Sequence, residues 1–261
     1  MYDLVALEAE LAGTIFAGKL LFSAVTGSTN TDALAAARVG AAHGSVFFAD
    51  EQTAGRGRGD HQWQSKAGEG LYVSTLMRPP LSAAQVPLLP LAAGLAAAEA
   101  VRIVTGAVID LRWPNDLLIG PRKVGGILVE SKIEPAGLAF AVIGIGINVH
   151  QRAFDPTHST PATSLDIAAG QHVSRQALLV ALLKSLEREV DMLSKTEVAS
   201  GTLARMEKTS TWLKGRYVTV HGPQQCSGVT AGLDAQGFLR VQTEAGLVTV
   251  QTGGIRAAET E

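Results

Sequence analysis

The chain has 261 residues, 46% of them apolar and 18% charged, with 22 basic and 24 acidic side chains for a formal net charge of −2. That length holds one large domain, or one of ordinary size beside a small one. The composition excludes disorder and collagen-like repetition, and the near balance of charge argues against a dedicated nucleic-acid binder, which carries a basic surplus. The lone Cys226 has no internal disulfide partner, so a reducing cytoplasm is expected. The N-terminus lacks the pattern of a signal peptide. The most apolar long stretch, Ala83 to Val104, is interrupted by Gln85, Pro87, Pro90, Glu99 and Arg102, so no membrane role is expected.

In chain order, leucines and alanines at helical spacing over residues 3–17 predict a short helix, and Leu20 to Val25 a strand. At Gly27-Ser28-Thr29-Asn30, Ser28 or Thr29 can cap a helix running through Ala33 to Arg38. Capping uses one hydroxyl. The remaining hydroxyl and amide are free to bond a polar ligand. Val46 to Ala49 reads as a strand, followed by Gln52 and the glycine-rich loop Thr53-Ala54-Gly55-Arg56-Gly57-Arg58-Gly59. Glycines bring amide groups close to an anion, and each guanidinium adds a permanent charge with fixed donors. The loop lacks the closing Gly-Lys-Ser/Thr of a P-loop. Trp63 then either plugs this loop onto the core or offers a flat face to an aromatic ligand.

Leu71 to Met77 is a strand stopped by Pro79-Pro80. The alanine- and leucine-rich stretch to Thr105 is a buried helix, starting late because of Pro87 and Pro90 and ending at Gly106. Ile109 to Arg112 reads as a strand arrested at Trp113-Pro114, which leaves Asn115-Asp116 in a turn. These two are ordinary turn formers, yet beside an anion site Asp116 could hold magnesium and Asn115 could bond phosphate or ribose. Arg122 to Glu130 is a strand with Lys123 at its mouth, and the Gly125-Gly126 pair in its interior marks a bulge or a close ligand.

Leu138 to Val149 is an unbroken apolar strand, covered on both faces. Its period of two puts Gly144, Gly146 and Asn148 on one face, a floor on which a flat ligand could lie. A polar loop over residues 150–163 precedes a helix capped by Ser174 and running to about Leu193, then a second over roughly 198–208. From Trp212 the chain breaks into short strands joined by glycine turns, the pattern of a small β-barrel. The expected domains are therefore 1–210 and 211–261.

Five patterns in register carry a resemblance: Ser28-Thr29-Asn30, the Gln52 to Arg58 loop, Trp113 to Asp116, Lys123 to Glu130, and Gly144 to Asn148. Together they resemble the biotin protein ligases, also called biotin–acetyl-CoA-carboxylase ligases, over nearly the whole chain. The resemblance implies an α+β fold of the class II aminoacyl-tRNA synthetase type, with a mixed sheet, flanking helices and an SH3-like C-terminal barrel. It also implies adenylation of biotin by ATP with magnesium, and transfer of biotin to a lysine of a biotin carboxyl carrier protein.

By position, Ser28, Thr29, Asn30, Gln52, Gly55, Arg56, Gly57, Arg58, Lys123 and Gly126 would bind biotin. Lys123, Arg56 and Arg58 would be catalytic. Trp63, Asn115, Asp116, Gly144, Gly146 and Asn148 would serve ATP, and Asp116 the magnesium ion. Two departures stand out. Gly59-Asp60-His61-Gln62 replaces a more basic continuation of the loop, and only about 20 residues precede the first strand, which implies a ligase that is not a repressor. Lipoate and octanoate ligases share the broader fold and are the nearest alternative, while a nucleic-acid module would use the arginines on phosphates. Against the former, acyl chains need an apolar tunnel, whereas Ser28 to Asn30 and Gln52 are polar.

Overall fold

A computed structural model describes residues 2–59, 61–156, 159–195 and 199–258. Helix α1 covers Leu4–Glu10, capped by the Asp3 carboxylate, which accepts from Ala6 N–H. It is shorter than its leucine spacing predicts because the chain turns through left-handed Gly13 and Gly18. Strand β1 (Leu20–Thr26), helix α2 (Thr29–Arg38), and strands β2 (Ser45–Gln52) and β3 (Gly70–Met77) follow. A 3₁₀ turn over Ala83–Leu88 leads into α3 (Leu89–Thr105), which ends at left-handed Gly106. The prolines delay the regular helix as expected, since Pro lacks an N–H and suits a first turn. This whole stretch is apolar and long enough to cross a membrane, yet it is two-thirds buried inside the fold.

Strands β4 (Asp110–Arg112), β5 (Asp116–Ile119), β6 (Arg122–Glu134) and β7 (Gly137–Asn148) complete a seven-stranded sheet in the order β1-β2-β3-β7-β6-β5-β4. Among the described strands of this sheet, β1 and β2 are the only parallel neighbours. The strand β5 was not expected. The turn over 113–115 reverses the chain, so Asp116, expected in the turn, instead opens β5 opposite Arg112. Short α4 (Leu165–Ala169), which was not expected, follows the polar loop over 150–163, and α5 (Arg175–Ser194) and α6 (Ala199–Thr209) come after it. Residue 198, the expected start of that last helix, lies outside the described residues. The Ser174 hydroxyl caps α5 by accepting from Ala177 N–H.

The C-terminal strands β8 (Lys214–His221), β9 (Cys226–Leu233), β10 (Leu239–Thr243), β11 (Gly246–Val250) and β12 (Gly254–Ala257) form an antiparallel sheet in the order β11-β10-β9-β8-β12. One hydrophobic cluster joins both sheets, from Phe48 and Ile143 through α3 and α5 to Val218 and Leu239. At the seam the buried Trp113 indole donates to Gly237 O at 3.1 Å. Gly237 must be glycine here. Its φ is +83°, and a Cβ would stand 2.8 Å from Leu88 and Leu91 side-chain atoms.

Candidate active site

The Ser-Thr-Asn junction sits where β1 turns into α2, with all three side chains buried. Ser28 is the N-cap residue by position, but its hydroxyl makes no capping hydrogen bond. That corrects the simplest reading of the junction. The Gln52 amide oxygen accepts from Thr29 N–H at 2.9 Å and from its hydroxyl at 3.1 Å, while the Gln52 NH₂ donates to Ser65 Oγ at 2.8 Å. Thr29 Oγ1 and Ser74 Oγ share a hydrogen bond at 2.7 Å, and Ser74 donates to Asn30 Oδ1 at 2.6 Å. Buried polar groups need such partners, and a connected set holds each in one orientation. Ser74 escaped the sequence reading because a serine inside the apolar run of β3 carries no signal by itself.

Asn30 links this network to the cations. Its NH₂ donates to Glu130 Oε2 at 2.9 Å, and Arg56 forks onto the same carboxylate at 2.5 and 3.1 Å. The arginine loop folds back on itself, with Gly57 N–H donating to His61 O at 2.7 Å and Trp63 N–H to Gly55 O at 2.9 Å. Asp60, in the departing segment, lies outside the described residues. Gly55 is required by close approach, because a Cβ there would stand 2.9 Å from Ser65 Oγ. Arg58 points elsewhere than its loop neighbour. It donates to Gly253 O and, at 2.9 Å, to Thr252 Oγ1, so the C-terminal sheet holds one of the two loop arginines.

Asp116 gathers the other cations. Lys123 Nζ lies 2.5 Å from one of its oxygens, and Arg112 Nη2 2.6 Å from the other. Burial pushes the Asp116 carboxyl up, but Lys123 and Arg112 outweigh it and leave the net value below the usual carboxylate range. Desolvation likewise lowers the Arg58 guanidinium, which Asp116 partly offsets from a distance. Arg112 is buried, donates also to Thr160 Oγ1 at 2.9 Å and stacks over Trp212. Its partnership with Asp116 four residues on was legible as a spacing, but no role was read from it.

The depressed carboxyl has a consequence for stability. A group whose folded-state pKa is lowered stabilises fully above its unfolded value, here about 3.8, and that contribution is lost as pH falls through the folded value. Asp116→Asn is therefore expected to melt below wild type at neutral pH, with the difference closing on acidification below pH 3.8. Melting curves across that range check it, and a gap independent of pH would remove the ion pair as its cause.

The glycine face is not bare, which corrects the picture of an open floor. A Cβ on Gly144 would meet the Asn30 amide, 2.8 Å from Cγ, and one on Gly146 would meet the Trp63 indole, 2.5 Å from Nε1. Trp63 thus covers the floor at Gly146, with Lys123 Nζ 5.7 Å from its ring centroid. The Trp63 N–H is buried with no acceptor among the described residues. Gly126 sits opposite Gly146 in register, its added Cβ in ordinary contact with Trp63 and Lys123 at 3.5–3.7 Å. Gly125 answers to packing, since its Cβ would lie 2.8 Å from Gly146 O and Leu117 Cδ1.

The Asn115 and Asn148 amides have backbone duties. Asn115 donates to Ile127 O at 2.9 Å and Asn148 to Thr163 O at 3.1 Å. The residues after β7 then run beside Lys123, whose N–H donates to Pro161 O at 2.8 Å and whose carbonyl accepts from Thr163 N–H at 2.9 Å. Among the described residues, the structure therefore pairs Arg56 with Glu130 beside Asn30, and Lys123 and Arg112 with Asp116, whose charge Arg58 also feels. Such an excess of fixed cations draws and aligns anions.

Residues 22–148 match the Biotin/lipoate A/B protein ligase family. The bifunctional ligase/repressor BirA of Bacillus subtilis is 31% identical over 239 residues, spanning 90% of this chain and 73% of that protein. A biotin–[acetyl-CoA-carboxylase] ligase of Mycobacterium tuberculosis is 34% identical over 245 residues, 89% of this chain and 86% of its own. Among solved structures, the biotin protein ligase from Aquifex aeolicus in complex with biotin and ATP superposes with a TM-score of 0.79 at 28% identity, covering 92% of this chain and 98% of that one. A mixed sheet with cations beside a glycine face on its central strands β7 and β6, together with these similarities, places the α+β domain in the ligase class. The chain belongs to the biotin/lipoate A/B protein ligase family.

Proposed function

We propose that this protein is a biotin protein ligase. The biotin carboxylate attacks the ATP α-phosphate, giving biotinyl-5′-AMP and releasing pyrophosphate. The ε-amine of a lysine on a biotin carboxyl carrier protein then attacks the acyl carbon, forming an amide and releasing AMP and a proton. The observation that carries this reading is Arg56 tied through Glu130 to Asn30 in the polar Ser28–Thr29–Asn30–Gln52 set, with Lys123 beside the Gly126 and Trp63 that flank it. Two like charges about 4 Å apart repel by roughly 4 kcal/mol at an effective dielectric near 20, which fixed cations must offset. The Mycobacterium tuberculosis relative and the Aquifex aeolicus structure, both named as biotin ligases, support the choice of acid, and the same polar side chains argue against an acyl chain as in lipoate or octanoate ligases.

Ser28, Thr29, Asn30 and Gln52 hold the ureido ring, whose donors and acceptors match hydroxyl and amide groups. Gly55 and Gly57 let the loop close on the ligand, and Gly126 leaves room beside Lys123. Arg56 exchanges Glu130 for the substrate carboxylate, Arg58 supplies charge from the loop's far side, and Lys123 turns from Asp116 to bridge carboxylate and α-phosphate. Catalysis is then positioning and electrostatics, with no covalent enzyme intermediate.

Trp63, Gly144 and Gly146 form the nucleotide side of the floor, with Asn115 and Asn148 holding its walls. Both Asp116 oxygens hold a cation, so the oxygen that Lys123 leaves on turning to the substrate would be the one to hold magnesium, in a site completed by nucleotide phosphates. Bound there, magnesium would neutralise phosphate charge.

ATP–pyrophosphate exchange with biotin, lipoate, octanoate or no acid tests the reading. Exchange is expected with biotin alone. Exchange with lipoate, or silence with every acid in a folded sample, overturns it.

A further inference from the structure

A second cluster of chemically active side chains lies outside this network. His150 follows β7, Asp166 lies in α4, and His172 stands in the turn before α5. The two imidazole Nδ1 atoms lie 3.0 and 3.4 Å from one oxygen, Asp166 Oδ2. One donor atom from each of the three falls within 4.8 Å of the others. The frame is built from backbone. Val173 N–H donates to the other carboxylate oxygen at 2.9 Å, Asp166 N–H to Val149 O at 2.9 Å, and His150 N–H to Glu69 O at 2.7 Å. Oδ2 is thereby aimed at the two rings, the kind of outer-shell support that orients metal ligands.

Two imidazoles and a carboxylate suit a borderline divalent ion such as zinc, whose bonds of about 2.0–2.2 Å set neighbouring ligands roughly 3.3 Å apart. The two O···N edges already have nearly that length. One adjustment is needed. The rings are stacked with centroids 4.3 Å apart and planes 12° from parallel, and in-plane lone pairs on parallel rings do not converge. His172 has the freedom to turn, its side chain being 78% exposed, whereas Asp166, at 9%, is held in place. His150 and His172 also line an open cleft of about 510 Å³, which gives an ion and its remaining water a route in.

We propose that His150, Asp166 and His172 bind one divalent ion of the zinc class, completed by water. Its role is a clamp. His150 and Asp166 bracket the connection whose residues 161–163 hydrogen-bond to the backbone of Lys123, so an ion joining them to α5 fastens both ends of the segment that braces this lysine.

The test is calorimetric titration of the metal-free full chain with Zn²⁺ alone, without nucleotide. One saturable equivalent is expected, weakened about tenfold or more in His172→Ala, an exposed change that removes only the ring stacked on His150 and its contact with Asp166. His150→Ala should weaken it likewise, and Cys226→Ser should leave it unchanged. Zn²⁺ should raise Tm in wild type and not in His172→Ala. Absence of saturable binding in wild type, or binding undiminished in both histidine variants, overturns the proposal and leaves a hydrogen-bonded histidine pair.

Discussion

Lys123→Ala is expected to slow biotin-dependent pyrophosphate exchange by roughly 10²–10³-fold, the usual cost of removing one preorganised group that stabilises developing charge. The fold should survive. Lys123 is 29% exposed on its side chain, and its two loop hydrogen bonds run through backbone atoms that alanine retains. Asp116 also keeps Arg112, so no buried carboxylate is left unpaired, the situation that makes a broken ion pair costly. The loss should fall on the rate at saturating biotin more than on biotin affinity, because Arg56 and the polar side chains remain. Lys123→Arg should recover only part of the rate, since a planar fork does not replace a compact ammonium. Exchange kinetics together with a melting curve decide the matter, and near-normal exchange would remove Lys123 from the mechanism.

Gly144→Ala should damage both stability and biotin binding, while Gly126→Ala should leave stability nearly unchanged. At Gly144 the new methyl must displace the Asn30 amide, which is held by Ser74 and Glu130 and cannot swing away without leaving buried partners unmade. Overpacking of this kind costs about 1–3 kcal/mol. At Gly126 the nearest atoms stand at ordinary contact distance, so the same methyl meets no obstruction. Gly146→Ala would instead push Trp63 off the sheet and weaken ATP more than biotin. Urea unfolding and separate titrations with biotin and ATP distinguish the three. Gly144→Ala with wild-type stability and wild-type biotin affinity would show that Asn30 moves freely and does not shape the pocket.

Much of the architecture was legible because local patterns state it. Alternation and apolar runs marked β3, β6 and β7, the prolines placed the late start of α3, and Ser174 announced α5. The texture change after residue 210 marked the second sheet, and the division at 210/211 stands as our proposal. Short elements escaped. Strands β5 and β12 and helix α4 have 4, 4 and 5 residues, too few for a period to show, and long-range pairing holds them.

For the site, the sequence by itself determined the ingredients: which hydroxyls, amides, glycines and cations stand near strand ends, and therefore that small anions and a polar ligand are to be tested. Only the tertiary structure decided how they are paired. That Arg56 rests on Glu130 and Lys123 on Asp116, that Arg58 reaches the C-terminal sheet, and that Asn30 and Trp63 cover Gly144 and Gly146 depend on residues up to 195 positions apart. Hydrogen bonds and ion pairs act over a few ångströms of space and are indifferent to distance along the chain. A linear pattern therefore records which groups a strand presents, while the sheet order that brings them together sets their partners.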